Sequence, residues 1–123
     1  MAGKKILLVD DSQTVLMMEK MILRRTAYQL LTASDGVEAV QTAIKELPDL
    51  ILMDVVMPKM NGFEAVKQIR ATAETKDIPI IMVTSRGEEE NVRTGFESGC
   101  NEYVTKPINT LELLCKIQIL LGE

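Results

Sequence analysis

A parallel α/β sheet with helices on both faces is the fold that this sequence predicts, and three observations predict it. Short, nearly continuous apolar runs recur along the chain, and each ends at a polar residue: Ile6-Leu7-Leu8-Val9 at Asp10, Leu50-Ile51-Leu52-Met53 at Asp54, and Ile78 to Val83 at Thr84. Runs of this length without alternation mark strands buried on both faces, as in a parallel sheet sandwiched between helices. Segments with helical apolar spacing fill the intervals. Capping signatures, an N-cap acceptor with an acid three residues on, open most of those segments.

Each element follows in order. After the first strand, Val15, Met18, Ile22 and Arg25 form a helical stripe, widened by Leu16, Met17 and Met21. The methionines Met17, Met18 and Met21 are read as core. Gln29 to Ala33 is a weaker strand. Val37, Val40, Ala43, Ile44 and Leu47 mark the second helix, which Leu47-Pro48 closes because Pro disfavours helical backbone at the preceding residue. Beyond the Leu50–Met53 strand, Phe63, Val66, Ile69 and Arg70 mark the third helix, and Val92 with Phe96 a fourth. Glu102 to Thr105 is the last, weaker strand. The fifth helix carries two stripes, Leu111, Leu114, Cys115, Gln118 and Leu113, Ile117, Leu120, Leu121. Capping-box spacing occurs at Asp35 with Glu38, Asn61 with Glu64, Ser85 with Glu88, and Asn109 with Glu112. Five strands alternating with five helices give the layered sandwich. Its 123 residues fit one domain, residues 1–123, and the last helix runs almost to Glu123, so no output domain is expected to follow.

Composition excludes several chemistries. The net charge is −4, which disfavours non-specific nucleic-acid binding because that needs a basic face. There is no His, so a Ser-His-Asp triad, a histidine base, a His-ligated zinc and a phosphohistidine donor within this chain are ruled out. Cys100 and Cys115 lack metal-binding spacing and are read as a buried, reduced pair. No apolar stretch approaches transmembrane or signal-peptide length, which predicts a cytoplasmic protein without membrane insertion.

Candidate site residues follow from the fold class. Ligands of open α/β sheets bind beyond the carboxyl ends of the strands, near the switch in strand order. The polar residues there are Asp10 and Asp11 after the first strand, Asp54 after the third, Thr84 and Ser85 after the fourth, and Lys106 after the fifth. Converging carboxylates repel and raise one another's pKa unless a cation compensates. Hard oxygen ligands in a partly open site suit Mg²⁺. A carboxylate nucleophile, a divalent ion, a hydroxyl and an ammonium are the parts of phosphoryl transfer. Read alone, Asp10-Asp11 would also serve as a helix cap.

These segments resemble the response-regulator receiver domain of two-component signalling, in its single-domain chemotaxis form. The resemblance rests on Ile6 to Ser12, Asp49 to Gly62 with Asp54-Val55-Val56-Met57-Pro58-Lys59 at its centre, Ile80 to Ser85, and Tyr103-Val104-Thr105-Lys106-Pro107. It implies a flavodoxin-like (βα)5 fold with sheet order 2-1-3-4-5. It further implies that Asp54 accepts a phosphoryl group, that Asp10, Asp11, Asp54 and the main-chain carbonyl of Val56 hold Mg²⁺ (Mn²⁺ as a substitute), and that Lys106 contacts the phosphoryl group. Thr84 would be the switch hydroxyl, Tyr103 the switch aromatic, and Lys106-Pro107 a cis bond. Val56 and Arg86 would tune the phosphate's lifetime, and the apolar Val56 predicts hydrolysis that is not fast. The implied partners are a histidine kinase or phosphotransfer protein, docking on the first helix, and an unidentified downstream protein near the fourth helix, fifth strand and fifth helix.

Rival readings belong to other classes. A Mg²⁺-dependent phosphatase with an aspartate nucleophile usually carries a second acid two residues on, where this chain has Val56. For a flavin binder, Asp10-Asp11 would repel the phosphate, and stacking groups are scarce, with no Trp and 2 Tyr. A receiver-shaped scaffold that is never phosphorylated remains as a third.

Overall fold

The computed structural model describes residues 4–24, 26–55, 57, 59–85 and 89–123. Strands and helices alternate: β1 Lys5–Val9, α1 Gln13–Leu23, β2 Gln29–Ala33, α2 Gly36–Glu46, β3 Leu50–Asp54, α3 Gly62–Ala71, β4 Ile80–Ser85, α4 Glu89–Ser98, β5 Glu102–Lys106 and α5 Thr110–Leu121. The strands form one parallel sheet in the order β2-β1-β3-β4-β5. Fold class and order agree with the sequence-based expectation, although β4 starts at Ile80 rather than Ile78.

Alternation along each strand explains the unbroken apolar runs. Leu7, Val9, Ile51, Met53, Ile80 and Met82 point into a core with α2 and α3 residues such as Val40, Ala43, Val66 and Ile69. Ile6, Leu8, Leu50, Leu52, Ile81 and Val83 point the other way, against Leu16 and Leu23 of α1 and Leu113 and Ile117 of α5. The apolar residues of β1, β3 and β4 thus each meet a helix layer. Among the described residues no helix is long and apolar enough to cross a membrane.

Capping acts as the spacing predicts at three helices. Asp35, Asn61 and Asn109 accept from the backbone N–H of Glu38, Glu64 and Glu112 at 2.8, 2.9 and 2.9 Å. Glu88 of the Ser85–Glu88 signature lies outside the described residues, and Ser85 closes β4. Ser12 caps α1, accepting from Val15 N–H at 3.3 Å.

The helix faces need correction. In α1 the buried line is Leu16, Glu19 and Leu23, whereas Met17, Met18 and Met21 are exposed. At 3.6 residues per turn, only one line three to four residues apart faces the sheet, and the methionines lie off it. In α2 the line is Gly36, Ala39, Val40 and Ala43, which leaves Val37, Ile44 and Leu47 partly in solvent. In α5 the stripe through Leu113 and Ile117 is the buried one, and Leu111 is exposed. The cysteines are free, but Cys115 is exposed rather than buried.

Candidate phosphoacceptor site

Parallel register assembles the site at one sheet edge. Val9 pairs with Met53, so Asp10 and Asp54 emerge side by side from β1 and β3, where the strand order switches. Asp54 pairs with Val83, one residue before Thr84, and Ser85 pairs with Lys106. Residues far apart in the chain therefore reach the same rim. Gly62 permits a close approach of α3 to this rim. A Cβ there would fall 2.2 Å from the Asp54 carbonyl oxygen.

Asp10 and Asp54 are buried and Asp11 is exposed, and oxygens of all three lie within 4.8 Å of one another. Lys106 Nζ stands 3.2 Å from Asp54 Oδ1 and 3.4 Å from Asp10 Oδ2. Local bonds fix the carboxylates: Asp10 Oδ1 accepts from Ser12 N–H at 2.9 Å, and Asp54 Oδ1 from Val55 N–H at 3.0 Å. Among the described residues Asp10 Oδ2 is buried with no hydrogen-bond partner, and the Lys106 ammonium lies 3.4 Å from it. A group of oxygen donors with one orphaned buried oxygen fits a hard divalent cation such as Mg²⁺. Burial first, then repulsion from Asp10, pushes Asp54 up to about 6, while Lys106 and the Val55 N–H pull against the rise. Burial lowers the Lys106 pKa, but Asp54 and Asp10 outweigh it and leave it above the ordinary value.

Thr84 is buried at the end of β4, on the sheet face that carries Met82. Tyr103 is half-buried on β5 and lies three residues back from Lys106. Lys106-Pro107 is cis. Val56 and Arg86, expected as main-chain ligand and lifetime residues, lie outside the described residues. The sequence reading missed Glu19, which is 1% exposed with Oε1 unpartnered. Its signal was present in the Leu16-x-x-Glu19-x-x-x-Leu23 spacing, which puts a carboxyl on the buried line.

A doubly covered 2-1-3-4-5 parallel sheet with three acids and a lysine at its carboxyl rim defines a receiver domain. The chain belongs to the response regulator receiver domain family, whose model matches residues 6–118. It is 40% identical over 118 residues to Protein PilH of Pseudomonas aeruginosa, covering 96% of this chain and 98% of that one. It is also 40% identical over 119 residues to the alkaline phosphatase synthesis transcriptional regulatory protein PhoP of Bacillus subtilis, covering 97% of this chain but 49% of PhoP. The chain thus spans about half the length of PhoP and of several other curated transcriptional regulators it matches. Among solved structures, the receiver domain of sensor histidine kinase PA1611 from Pseudomonas aeruginosa superposes with a TM-score of 0.92 at 32% identity, covering 99% of this chain and 100% of that one. That structure has a magnesium ion coordinated in the active site cleft.

Proposed function

We propose that this domain, residues 1–123, accepts a phosphoryl group on Asp54 from a histidine kinase or phosphotransfer protein and thereby changes its affinity for a downstream protein. One observation carries the reading: Lys106 Nζ bridges Asp54 and Asp10 at 3.2 and 3.4 Å beside a group of three carboxylates. Asp54 is the nucleophile because it ends the central strand β3 and is held by Val55 N–H and Lys106. Asp10, Asp11 and Asp54, with the Val56 carbonyl, would hold Mg²⁺ (or Mn²⁺). When bound, the ion supplies positive charge against the phosphoryl oxygens. Lys106 supplies the second positive charge and follows the transferred group. Thr84, next along β4 from the partner of Asp54, is the hydroxyl that meets the phosphoryl group. The reaction is a self-assisted phosphorylation, in which the Asp54 oxygen forms the new bond to phosphorus as the donor's bond to phosphorus breaks, rather than independent turnover.

A cleft of about 390 Å³ lined by Val15, Met18, Lys106, Pro107 and Ile108 opens beside the lysine. Together with exposed Met17 and Met21 on α1, it supports donor docking on this side. The protein is assigned to the cytoplasm, where such donors act. Incubation with Mg²⁺ and acetyl phosphate is expected to add one phosphoryl group by intact mass, and Asp54→Asn to abolish it. Modification at another residue, or none from any donor, overturns the reading in favour of an unphosphorylated scaffold.

A further inference from the structure

The open side of the edge strand β5 carries an arrangement that the phosphoacceptor chemistry does not use. Tyr103 lies between two helices that belong to opposite layers. From α4, Phe96 meets its ring edge-on, with centroids 5.7 Å apart and planes at 86°. From α5, Lys116 Nζ sits over the ring at 5.2 Å and donates to the Tyr103 carbonyl at 2.6 Å. The same ammonium is anchored by Glu102 at 3.3 Å and by Glu112 at 3.8 Å. Lys116 is only 23% exposed, so its contacts are partly shielded from water. A flexible surface lysine satisfied by one carboxylate would have no reason to lie on an aromatic ring and a carbonyl at once. Here two carboxylates, one on β5 and one a helical turn earlier on α5, position the charge where the ring can use it.

We propose that Lys116 is a positioning residue that holds Tyr103 in its resting place against Phe96 and so opposes the switched conformation of the domain. The inference rests on Tyr103 being the switch aromatic, as in the functional reading above. Contacts present only in the resting state stabilise it against the phosphorylated one, and their removal shifts the balance by their own free energy. A partly shielded cation–π contact supports a shift of about two- to fivefold.

Two measurements test it. The chain has no Trp and 2 Tyr, so in a Tyr28→Phe background all tyrosine emission comes from Tyr103. Acrylamide quenching of that emission should fall in Lys116→Met, as the ring turns inward, and stay at the parent value in Lys116→Arg. In parallel, the beryllofluoride concentration that half-saturates the protein with Mg²⁺ should drop about two- to fivefold in Lys116→Met. It should remain unchanged in Lys116→Arg, and also when Lys116→Met is made in a Tyr103→Leu background. Glu102→Gln, which loosens the lysine without removing it, should move both readouts in the same direction and covers a poorly folding Lys116→Met. Unchanged quenching in Lys116→Met, a shift that persists without Tyr103, or failure of Arg to substitute would overturn the proposal. Absence of beryllofluoride binding in the parent protein would count against the phosphoacceptor reading instead, and the quenching result would still decide the role of Lys116.

Discussion

The Lys106 ammonium lies 3.2 Å from Oδ1 of Asp54, a side chain only 7% exposed. Burial and Asp10 push that carboxyl up to about 6 even with the lysine pulling it down, so without the ammonium it would rise further toward neutral pH. Lys106→Met should therefore raise the Asp54 pKa by about one unit or more, read by carboxyl-carbon NMR in EDTA. Phosphorylation by acetyl phosphate at pH 7 should slow in the same variant, because both the carboxylate fraction and the compensating charge are lost. An Asp54 midpoint that does not move would show that the ammonium is a bystander.

How much of this was legible in the sequence varies with the physics involved. The strands were plain because residues such as Ile51 and Leu52 meet apolar layers on opposite faces, so burial leaves an unbroken run. The rim acids were plain because polar residues after buried strands have nowhere else to go than the switch-point crevice. Helix faces were less legible. Met17 and Met18 are as apolar as Leu16, and only packing against the sheet decides which line is covered. Glu19 was overlooked because a single charged residue inside an apolar stripe reads as surface unless its register is followed. The setting of Tyr103 depends on Lys116 and Phe96, whose approach is tertiary and leaves no local spacing to read.

Glu19 makes a prediction about pH and stability. Burial, then Asp10, pushes its carboxyl from 4.5 to about 8, with Lys106 opposing and Asp54 adding to the rise. Between those values the folded chain holds a proton that the unfolded chain has released, so unfolding free energy falls as pH rises through the window. Asp54, at about 6, is half titrated at pH 6 and nearly finished by pH 7, so the part of the decline above about pH 7 belongs to Glu19. Urea unfolding in EDTA should show stability declining from pH 6 to pH 8, with a much shallower decline in Glu19→Gln. Glu19→Leu should be more stable than the parent at pH 7 by on the order of 1–3 kcal/mol, since an unpartnered buried oxygen is replaced by apolar surface. Equal slopes in parent and Glu19→Gln would mean that Glu19 is not the titrating group.

Gly62 links α3 to the acceptor through backbone alone. A Cβ there would stand 2.2 Å from the Asp54 carbonyl oxygen and 3.1 Å from its carbon, and backbone does not yield as a side-chain tip does. Gly62→Ala should destabilise the fold by about 2–3 kcal/mol and slow acetyl-phosphate labelling of Asp54. Gly122 is the contrast: nothing lies within 4 Å of its Cβ position, and only its φ of 73° resists substitution. Gly122→Ala should cost about 1 kcal/mol and leave labelling unchanged. Thermal melts and intact-mass time courses on both variants separate contact from conformation. Comparable losses in the two would remove the argument from proximity.

The lifetime of the acyl phosphate is the remaining consequence of the sequence. Hydrolysis needs a water held in line with the phosphorus, and on the reading proposed above the residue two past Asp54 sets how readily one is oriented. Val56 offers no hydrogen bond to such a water. An amide at that position would hold it at the cost of one ordered side chain. Val56→Asn should therefore speed loss of the phosphoryl group by about two- to tenfold, the factor that one added net hydrogen bond supplies. Val56→Leu, apolar and only slightly larger, should leave the rate within about twofold of the parent, as expected when no hydrogen bond is gained. Single-turnover decay after removal of acetyl phosphate measures all three. If Asn and Leu behave alike, water orientation at residue 56 does not set the rate, and solvent access past Lys106 is the feature to vary next.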